Sequence, residues 1–227
     1  MAETVPTIAA VNYFDLAESF GIKSSDTTEF KSFNPVFDAS GNYLCSAEYD
    51  SGDNFNEEAD YCGAASPNIV TALGTLLTTF GEVETSGVVT KLDVTFAAGI
   101  QATVKLEGHQ HDGNPHLIST LRKADVSGVI PASSGLGVPS LITVTGSVSP
   151  VNATVSFEME HVDKPGADGI HFAGQNMRCR VSLSIDYEGV ASSPTAGDWL
   201  NIIIASTNPN DDTPTSTLTA EQWIDVT

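Results

Sequence analysis

The chain has 227 residues, 29 of them acidic and 9 basic, so its formal net charge is −20 at pH 7. A protein that reads DNA or RNA needs clustered Lys and Arg to contact phosphates, and this balance excludes sequence-specific nucleic-acid binding. No run of about 18 apolar residues occurs, and residues 1–6 carry neither a basic region nor an apolar stretch, so we expect a chain made in the cytoplasm that enters no membrane.

The charge is concentrated toward the two ends of the chain. Residues 1–62 hold 12 acidic and 2 basic side chains (−10), residues 63–180 hold 10 and 7 (−3), and residues 181–227 hold 7 and none (−7). One interpretation is a solvated acidic surface that keeps the protein soluble, as in proteins adapted to high salt. The other is that the carboxylates line a functional surface, and the two differ in where the carboxylates face.

The N-terminal quarter predicts little regular structure beyond a short helix over residues 8–20. The segment that follows, residues 21–62, is rich in Ser, Asp, Asn and Gly, with short strands indicated at residues 30–33 and 43–49. Because a loop of this length inside a compact domain is unusual, we interpret the segment as an extended arm or a long hairpin. Such an arm has no core of its own and gains order by lying on another subunit.

The arm contains an acidic run and two cysteines. The run consists of Asp50, Asp53, Glu57, Glu58 and Asp60. Its spacing departs from the EF-hand loop and lacks the central glycine, which favours a solvated loop over a calcium site. Cys45 and Cys62 flank the run and are candidates for a disulfide in an oxidising setting, whereas in the cytoplasm we expect both to be reduced.

A helix is predicted over residues 66–80. Ser66 suits the N-cap, Pro67 suits the first helical position, and Gly81 suits the residue after the end. The apolar residues fall at helical spacing, which predicts that one face of the helix lies on a sheet. These residues are Ile69, Leu73, Leu76, Leu77 and Phe80.

The middle and C-terminal parts predict β-strands from the alternation of apolar and polar residues. The five clearest runs are residues 91–96, 103–107, 142–148, 155–160 and 181–187. Two further strands are predicted at residues 200–205 and 223–226. Each of the five runs has one apolar and one polar face, which is typical of half-buried strands in an antiparallel sheet.

These elements predict a mainly β protein. The expected fold is an antiparallel β-sandwich or barrel with one flanking α-helix and long extended loops or an arm. We assign residues 1–65 to the N-terminal segment with its arm and residues 66–227 to the β-sandwich core, both within one structural domain.

All five histidines lie between positions 109 and 171, in two groups that each follow a strand beginning Ala-Thr-Val. His109 and His111 are two residues apart in an extended segment and therefore point to the same side, and His116 lies where a turn returns it to them. Three neutral imidazoles with an open position resemble a zinc site, so His109, His111 and His116 are the candidate metal ligands. The alternative is that these imidazoles hydrogen-bond to loop backbone or to neighbouring subunits.

Motifs for catalysis are absent from the sequence. It contains no Gly-x-Ser-x-Gly elbow, no Gly-x-x-x-x-Gly-Lys phosphate loop and no Cys-x-x-Cys pair. We therefore expect no catalytic residue, no cofactor and no enzymatic activity.

Parts of the chain resemble poorly characterised virion proteins of tailed phages and prophages. The similar segments are residues 68–80, 108–112, 129–139 and 171–176, the second of which reads Gly-His-Gln-His-Asp. The resemblance implies a virion structural protein, and within that class the major tail tube protein fits best. Tail tube proteins are sheet-rich sandwiches with a flanking helix and long loops, and they stack as rings around a DNA channel.

The resemblance implies partners as well as a location. We expect a homo-oligomer that forms rings or a tube with other virion proteins, with DNA as passing cargo only. An acidic wall repels the phosphate backbone, whereas a basic wall would hold DNA through counterion release. Two alternatives remain: a capsid-decoration or tail-fibre protein that binds metal through His109 and His111 at a symmetry axis, and a metal-dependent hydrolase that uses the histidine loops.

Overall fold

The computed structural model describes residues 12–14, 16–63, 68–77, 87–111, 129–130, 136–165, 171–195, 197–207 and 213–225. Its elements in chain order are β1 (Phe20–Phe37), β2 (Tyr43–Tyr61), helix α1 (Ile69–Leu73), a 3-10 helix (Gly74–Leu77), β3 (Gly87–Ala97), β4 (Thr103–His111), β5 (Thr143–Thr145), β6 (Ser149–Pro165), β7 (His171–Glu188), β8 (Ser192–Thr195), β9 (Leu200–Ser206) and β10 (Thr215–Asp225). The predicted mainly β, antiparallel fold is confirmed.

Eight strands form one antiparallel sheet in the order β1-β2-β4-β3-β6-β7-β10-β9. Strands β5 and β8 form a separate two-stranded sheet, and residues next to it contribute to the same core. Within the described ranges the edge strands β1 and β9 do not pair with each other, so the large sheet is open and the barrel alternative is wrong.

The core lies against one face of the large sheet, as the alternation in β3 illustrates. Leu92, Val94 and Phe96 are fully buried, whereas the residues between them are half-buried and polar. The strand register places Leu92 beside Leu106 of β4 and Phe157 of β6, so matching apolar positions meet across three strands. Burial of this continuous apolar face stabilises the sheet.

The flanking helix is present but shorter than predicted. Asn68, not Ser66, is the observed N-cap, and its side chain accepts a hydrogen bond from the Val70 N–H at 2.8 Å. Gly74 ends the α-helix with a positive φ of 54°, a conformation that glycine adopts without a steric cost, and a 3-10 helix follows. The predicted start at Ser66 and the predicted end near Gly81 lie outside the described residues. The helix contributes Ile69 to the core.

The predicted helix over residues 8–20 is wrong for its described part, which consists of turns before β1 begins. The Asn12 side chain donates to the Leu16 carbonyl and accepts from the Leu16 N–H, both at 2.9 Å. An Asn side chain that bonds nearby backbone in this way competes with helical hydrogen bonds, which accounts for the difference.

The remaining strand predictions are confirmed with changed boundaries. The run at residues 142–148 forms only the short strand β5, in the small sheet. The described part of the run at residues 223–226 belongs to the longer strand β10, whose start is rich in Thr and Ser. A run of Thr and Ser carries little apolar alternation, so the sequence indicated only the end of this strand.

The segment interpreted as an arm is a long hairpin of β1 and β2. Residues 52–60 of β2 also pair with β4, so the base of the hairpin belongs to the large sheet. Residues 43–51 pair only with β1 among the described residues and extend the hairpin by about 30 Å. Cys45 and Cys62 lie about 55 Å apart along this strand, which excludes a disulfide between them within one chain.

The acidic run lies on β2, and its members have different surroundings. Glu58 forms ion pairs with Lys23 at 2.9 Å and with Lys105 at 3.2 Å. Glu57, the next residue, faces the core and is 3% exposed; its Oε2 accepts from the Tyr13 N–H at 2.7 Å. Alternation along the strand thus separates the carboxylates, and no calcium site forms among the described members of the run.

Glu57 should make stability depend on pH. Burial raises the pKa of Glu57, although the backbone N–H groups of Tyr13 and Phe14 oppose the shift. The folded chain therefore keeps this proton to higher pH than the unfolded chain, and stability from Glu57 falls as pH rises above 4.5. We expect the melting temperature of Glu57→Gln, relative to that of the natural chain, to increase as pH rises above 4.5 and to level off once pH has passed the raised pKa of Glu57 in the folded chain.

Glu58→Gln is the matched control. In the natural chain, the ion pairs with Lys23 and Lys105 hold the pKa of Glu58 below the ordinary value. The stabilising effect of Glu58 is therefore complete above pH 4.5 and is lost only in acid. This variant should be less stable than the natural chain, with a deficit that does not grow above pH 4.5. Differential scanning calorimetry would measure the melting temperatures of both variants as a function of pH. The same pH dependence in Glu57→Gln and Glu58→Gln would contradict a raised pKa at Glu57.

Candidate functional site

Two of the predicted ligands lie together on β4. His109 and His111 occupy alternate positions of this strand, so both imidazoles project from the same face. Their ring centroids are 5.2 Å apart with perpendicular planes, and the ring of Phe30 from β1 packs edge-on against His111 at 5.5 Å. His111 is buried and His109 is half-buried, so both imidazoles are largely shielded from solvent.

A second pair of polar side chains reaches the same place from β6. The Asp163 Oδ1 lies 3.0 Å from the Nε2 of His161 on its own strand. The same oxygen lies 3.2 Å from the Nε2 of His111 and 3.6 Å from the Nε2 of His109. Three imidazole nitrogens thus surround one carboxylate oxygen, and we call these four residues the histidine cluster.

The strand order explains why the cluster can form. Strand β3 separates β4 from β6, and its pairing with β6 begins at Lys91 opposite Glu158. Beyond Glu158, β6 continues without a registered partner in β3, and its end carries His161 toward β4. The rings of His161 and His109 then approach to 5.2 Å between centroids.

The neighbouring strand β7 fixes the orientation of His161. The Asn176 Oδ1 lies 2.6 Å from the Nδ1 of His161, and an amide oxygen can only accept, so this Nδ1 donates. Gly174 lies opposite Asp163, and a Cβ at this position would come within 2.5 Å of the His161 ring. The ring of His161 therefore occupies space that only glycine leaves open.

Asp163 is ionised in this setting. Burial disfavours its charged form, but hydrogen bonding with the surrounding imidazoles more than offsets burial and holds the pKa of Asp163 well below its ordinary value. An ionised carboxylate among imidazole nitrogens suits either protons on the rings or a divalent transition metal.

The structure brings together two of the three predicted ligands. His109 and His111 are neighbours in the cluster, whereas His116 lies outside the described residues, so its role stays a prediction. His161 and Asp163 were not predicted as partners of these ligands. The available signal was that they repeat the two-residue spacing of His109 and His111 after the second Ala-Thr-Val strand.

The tip of the hairpin forms a second candidate site. Five large apolar side chains there are between 41% and 61% exposed. We define them as the tip patch: Phe33, Val36, Phe37, Tyr43 and Leu44. Phe37 and Tyr43 stack edge-on across the turn, with ring centroids 6.1 Å apart. Exposed apolar side chains collected on a projecting element are typical of a protein interface.

Comparison with known proteins found neither a family model nor a curated protein that matches this chain. In the part of the chain that the structure describes, every helix is too short or too polar to cross a membrane.

Proposed function

We propose that this chain is a virion structural protein of a tailed phage or prophage, acting as the major tail tube protein. Identical copies assemble into stacked rings around a channel through which DNA passes. The sandwich-like β fold, the flanking helix and the long hairpin support the proposal, because each is expected of such a subunit.

The observation that carries the proposal is the tip patch. A hairpin that extends about 30 Å beyond its partners among the described residues, with five exposed apolar side chains at its end, would be costly on an isolated monomer. Burial of these side chains on another copy removes that cost. Because every copy has the same hairpin, a head-to-tail contact through it produces rings or stacks.

The charge of the hairpin limits the kind of partner. Residues 20–61 contain 9 acidic and 2 basic side chains, a net charge of −7. Both basic side chains already pair within the hairpin: Lys23 with Glu58 and Lys31 with Glu29. The hairpin would therefore repel nucleic acid, and it would also repel a second hairpin unless salt screens the charge. An acidic channel wall that lets DNA slide is consistent with this charge.

The proposal predicts self-assembly that increases with salt. Sedimentation velocity and negative-stain electron microscopy of the purified full chain, at rising concentration and at low and high NaCl, provide the test. We expect rings or tubes, with more assembly at high salt because screening weakens the repulsion between acidic copies.

A monomer at the highest concentration in both salts would contradict the proposal. Closed small oligomers without rings would instead support a capsid-decoration protein. Turnover of an ester or phosphoester substrate that requires added metal would support the hydrolase alternative.

A further inference from the structure

We propose that the histidine cluster binds one divalent transition metal ion, with Zn²⁺ the best fit, inside a single chain. The ligands are the Nε2 atoms of His109 and His161 and the carboxylate of Asp163. One donor atom from each of these three residues lies within 4.8 Å of the other two. The inference does not depend on the assembly proposed above.

The distances fit a tetrahedral site. Bonds of about 2.0–2.1 Å to nitrogen and oxygen place the ligand atoms of a tetrahedron about 3.3–3.4 Å apart. The Asp163 Oδ1 lies 3.0 Å from the Nε2 of His161 and 3.6 Å from that of His109, on either side of this value. The third distance, between the two imidazole nitrogens, is at most 4.8 Å.

The orientation of His161 also points to a cation. Its Nδ1 donates to Asn176, so in the neutral ring the Nε2 carries a lone pair, and this lone pair faces the lone pairs of the Asp163 Oδ1 at 3.0 Å. Two lone pairs at that distance repel each other unless a cation lies between them. The cation is either a second proton on His161 or a metal ion. A metal-ligating imidazole usually donates its other N–H to an oxygen acceptor such as a carboxylate or a backbone carbonyl, and the Asn176 Oδ1 is an acceptor in the same position.

The surroundings of His109 favour the metal over the proton. A second proton on His161 satisfies His161 and Asp163 but leaves the buried Nε2 of His109, which among the described residues has only a long 3.6 Å approach to the Asp163 Oδ1. A metal ion satisfies all three ligands. His111 then has the role of donating to the Asp163 carboxylate, 3.2 Å away.

The site would connect β4 to β6 across the end of β3. Its ligands come from two strands of one chain, in contrast to a metal shared between copies at a symmetry axis. The ion would therefore stabilise the sheet next to the base of the hairpin and would bind to dispersed as well as assembled protein.

The test is a titration of ZnCl₂ into the full chain after removal of metal with EDTA, followed by isothermal calorimetry. We expect saturable binding of one Zn²⁺ per chain. Asp163→Asn and His161→Gln remove a ligand and should weaken binding by more than about 100-fold, whereas Asn176→Ala should weaken it by about 10–100-fold. Glu160→Gln is the matched control, because Glu160 lies on the same strand but pairs with Arg178 at 2.6 Å, and its affinity should not change.

A second measurement on the unaltered chain avoids reliance on variants that fail to fold. Bound Co²⁺ should show the intense visible absorption of a tetrahedral site, and Zn²⁺ should abolish it. No saturable Zn²⁺ binding by the natural chain would overturn the proposal, as would a folded Asp163→Asn variant of unchanged affinity. A failure here leaves the sedimentation result untouched, so the two proposals fail separately.

Discussion

Replacing Phe157 with alanine is expected to lower the free energy of unfolding by about 3–5 kcal/mol. Phe157 is 0% exposed on β6, and the register places it between Leu92 of β3 and Val181 of β7. Removal of its ring leaves a cavity in the middle of the sheet, where neighbouring strands cannot close in without breaking their own pairing. Chemical denaturation monitored by Trp fluorescence would measure the loss.

Phe33→Ala provides the control, since it deletes the same ring where Phe33 is half exposed at the tip of the hairpin. We expect a change within about 0.5 kcal/mol for that variant. Equal losses for Phe157→Ala and Phe33→Ala would contradict the assignment of the core to this face of the sheet.

The double substitution Phe37→Ser and Leu44→Ser is expected to abolish assembly without unfolding the chain. Each of these side chains, once buried on a neighbouring copy, contributes about 1.5–3 kcal/mol. Loss of both should raise the concentration required for half-assembly about 100-fold or more. Sedimentation velocity would measure the shift, and the melting temperature of the dispersed chain should stay the same because both residues are exposed in it.

Ile100→Ser is the matched control for the tip patch. Ile100 is as exposed as Leu44 but lies in the turn between β3 and β4, away from the hairpin tip. It should leave assembly unchanged. Equal loss of assembly in the two variants would indicate nonspecific hydrophobic association instead of a contact through the hairpin.

The sheet could be predicted from the sequence because its alternation is strict. Val94 and Phe96 have Thr95 between them. Only an extended strand places Val94 and Phe96 on one apolar face and Thr95 on the opposite face. The helix boundaries were less predictable, because two good N-caps, Ser66 and Asn68, lie two residues apart. Two glycines were also available to end the helix, and the observed α-helix ends at Gly74 within the apolar pattern, before the predicted Gly81.

The histidine cluster could be predicted only in part. His109 and His111 share a strand, so spacing alone places them on one face. His161 and Asp163 come from a strand about 50 residues later, and their approach depends on β3 lying between β4 and β6. A local pattern does not determine strand order. The third ligand was therefore predicted to be His116, which is nearby in the sequence.

The burial of Glu57 could have been predicted from its position along the strand. Glu57 has the same parity on β2 as Ala59 and Tyr61, which are both buried, whereas Glu58 has the opposite parity. Parity along a strand determines the face of each side chain. The interpretation of the acidic run as one solvated loop does not predict this burial, because a loop has no such faces.

The natural cysteines give the most direct test of the contact through the hairpin. Cys45 and Cys62 are both exposed, one near the tip and one at the base of the hairpin, and burial raises the pKa of the third, Cys179, to about 12, which keeps it unreactive. Maleimide labelling of dispersed and assembled protein, read by mass spectrometry, would compare the two exposed thiols. We predict that assembly protects Cys45 while Cys62 stays reactive; a Cys45 that labels equally fast in assembled protein would contradict a tip buried between copies.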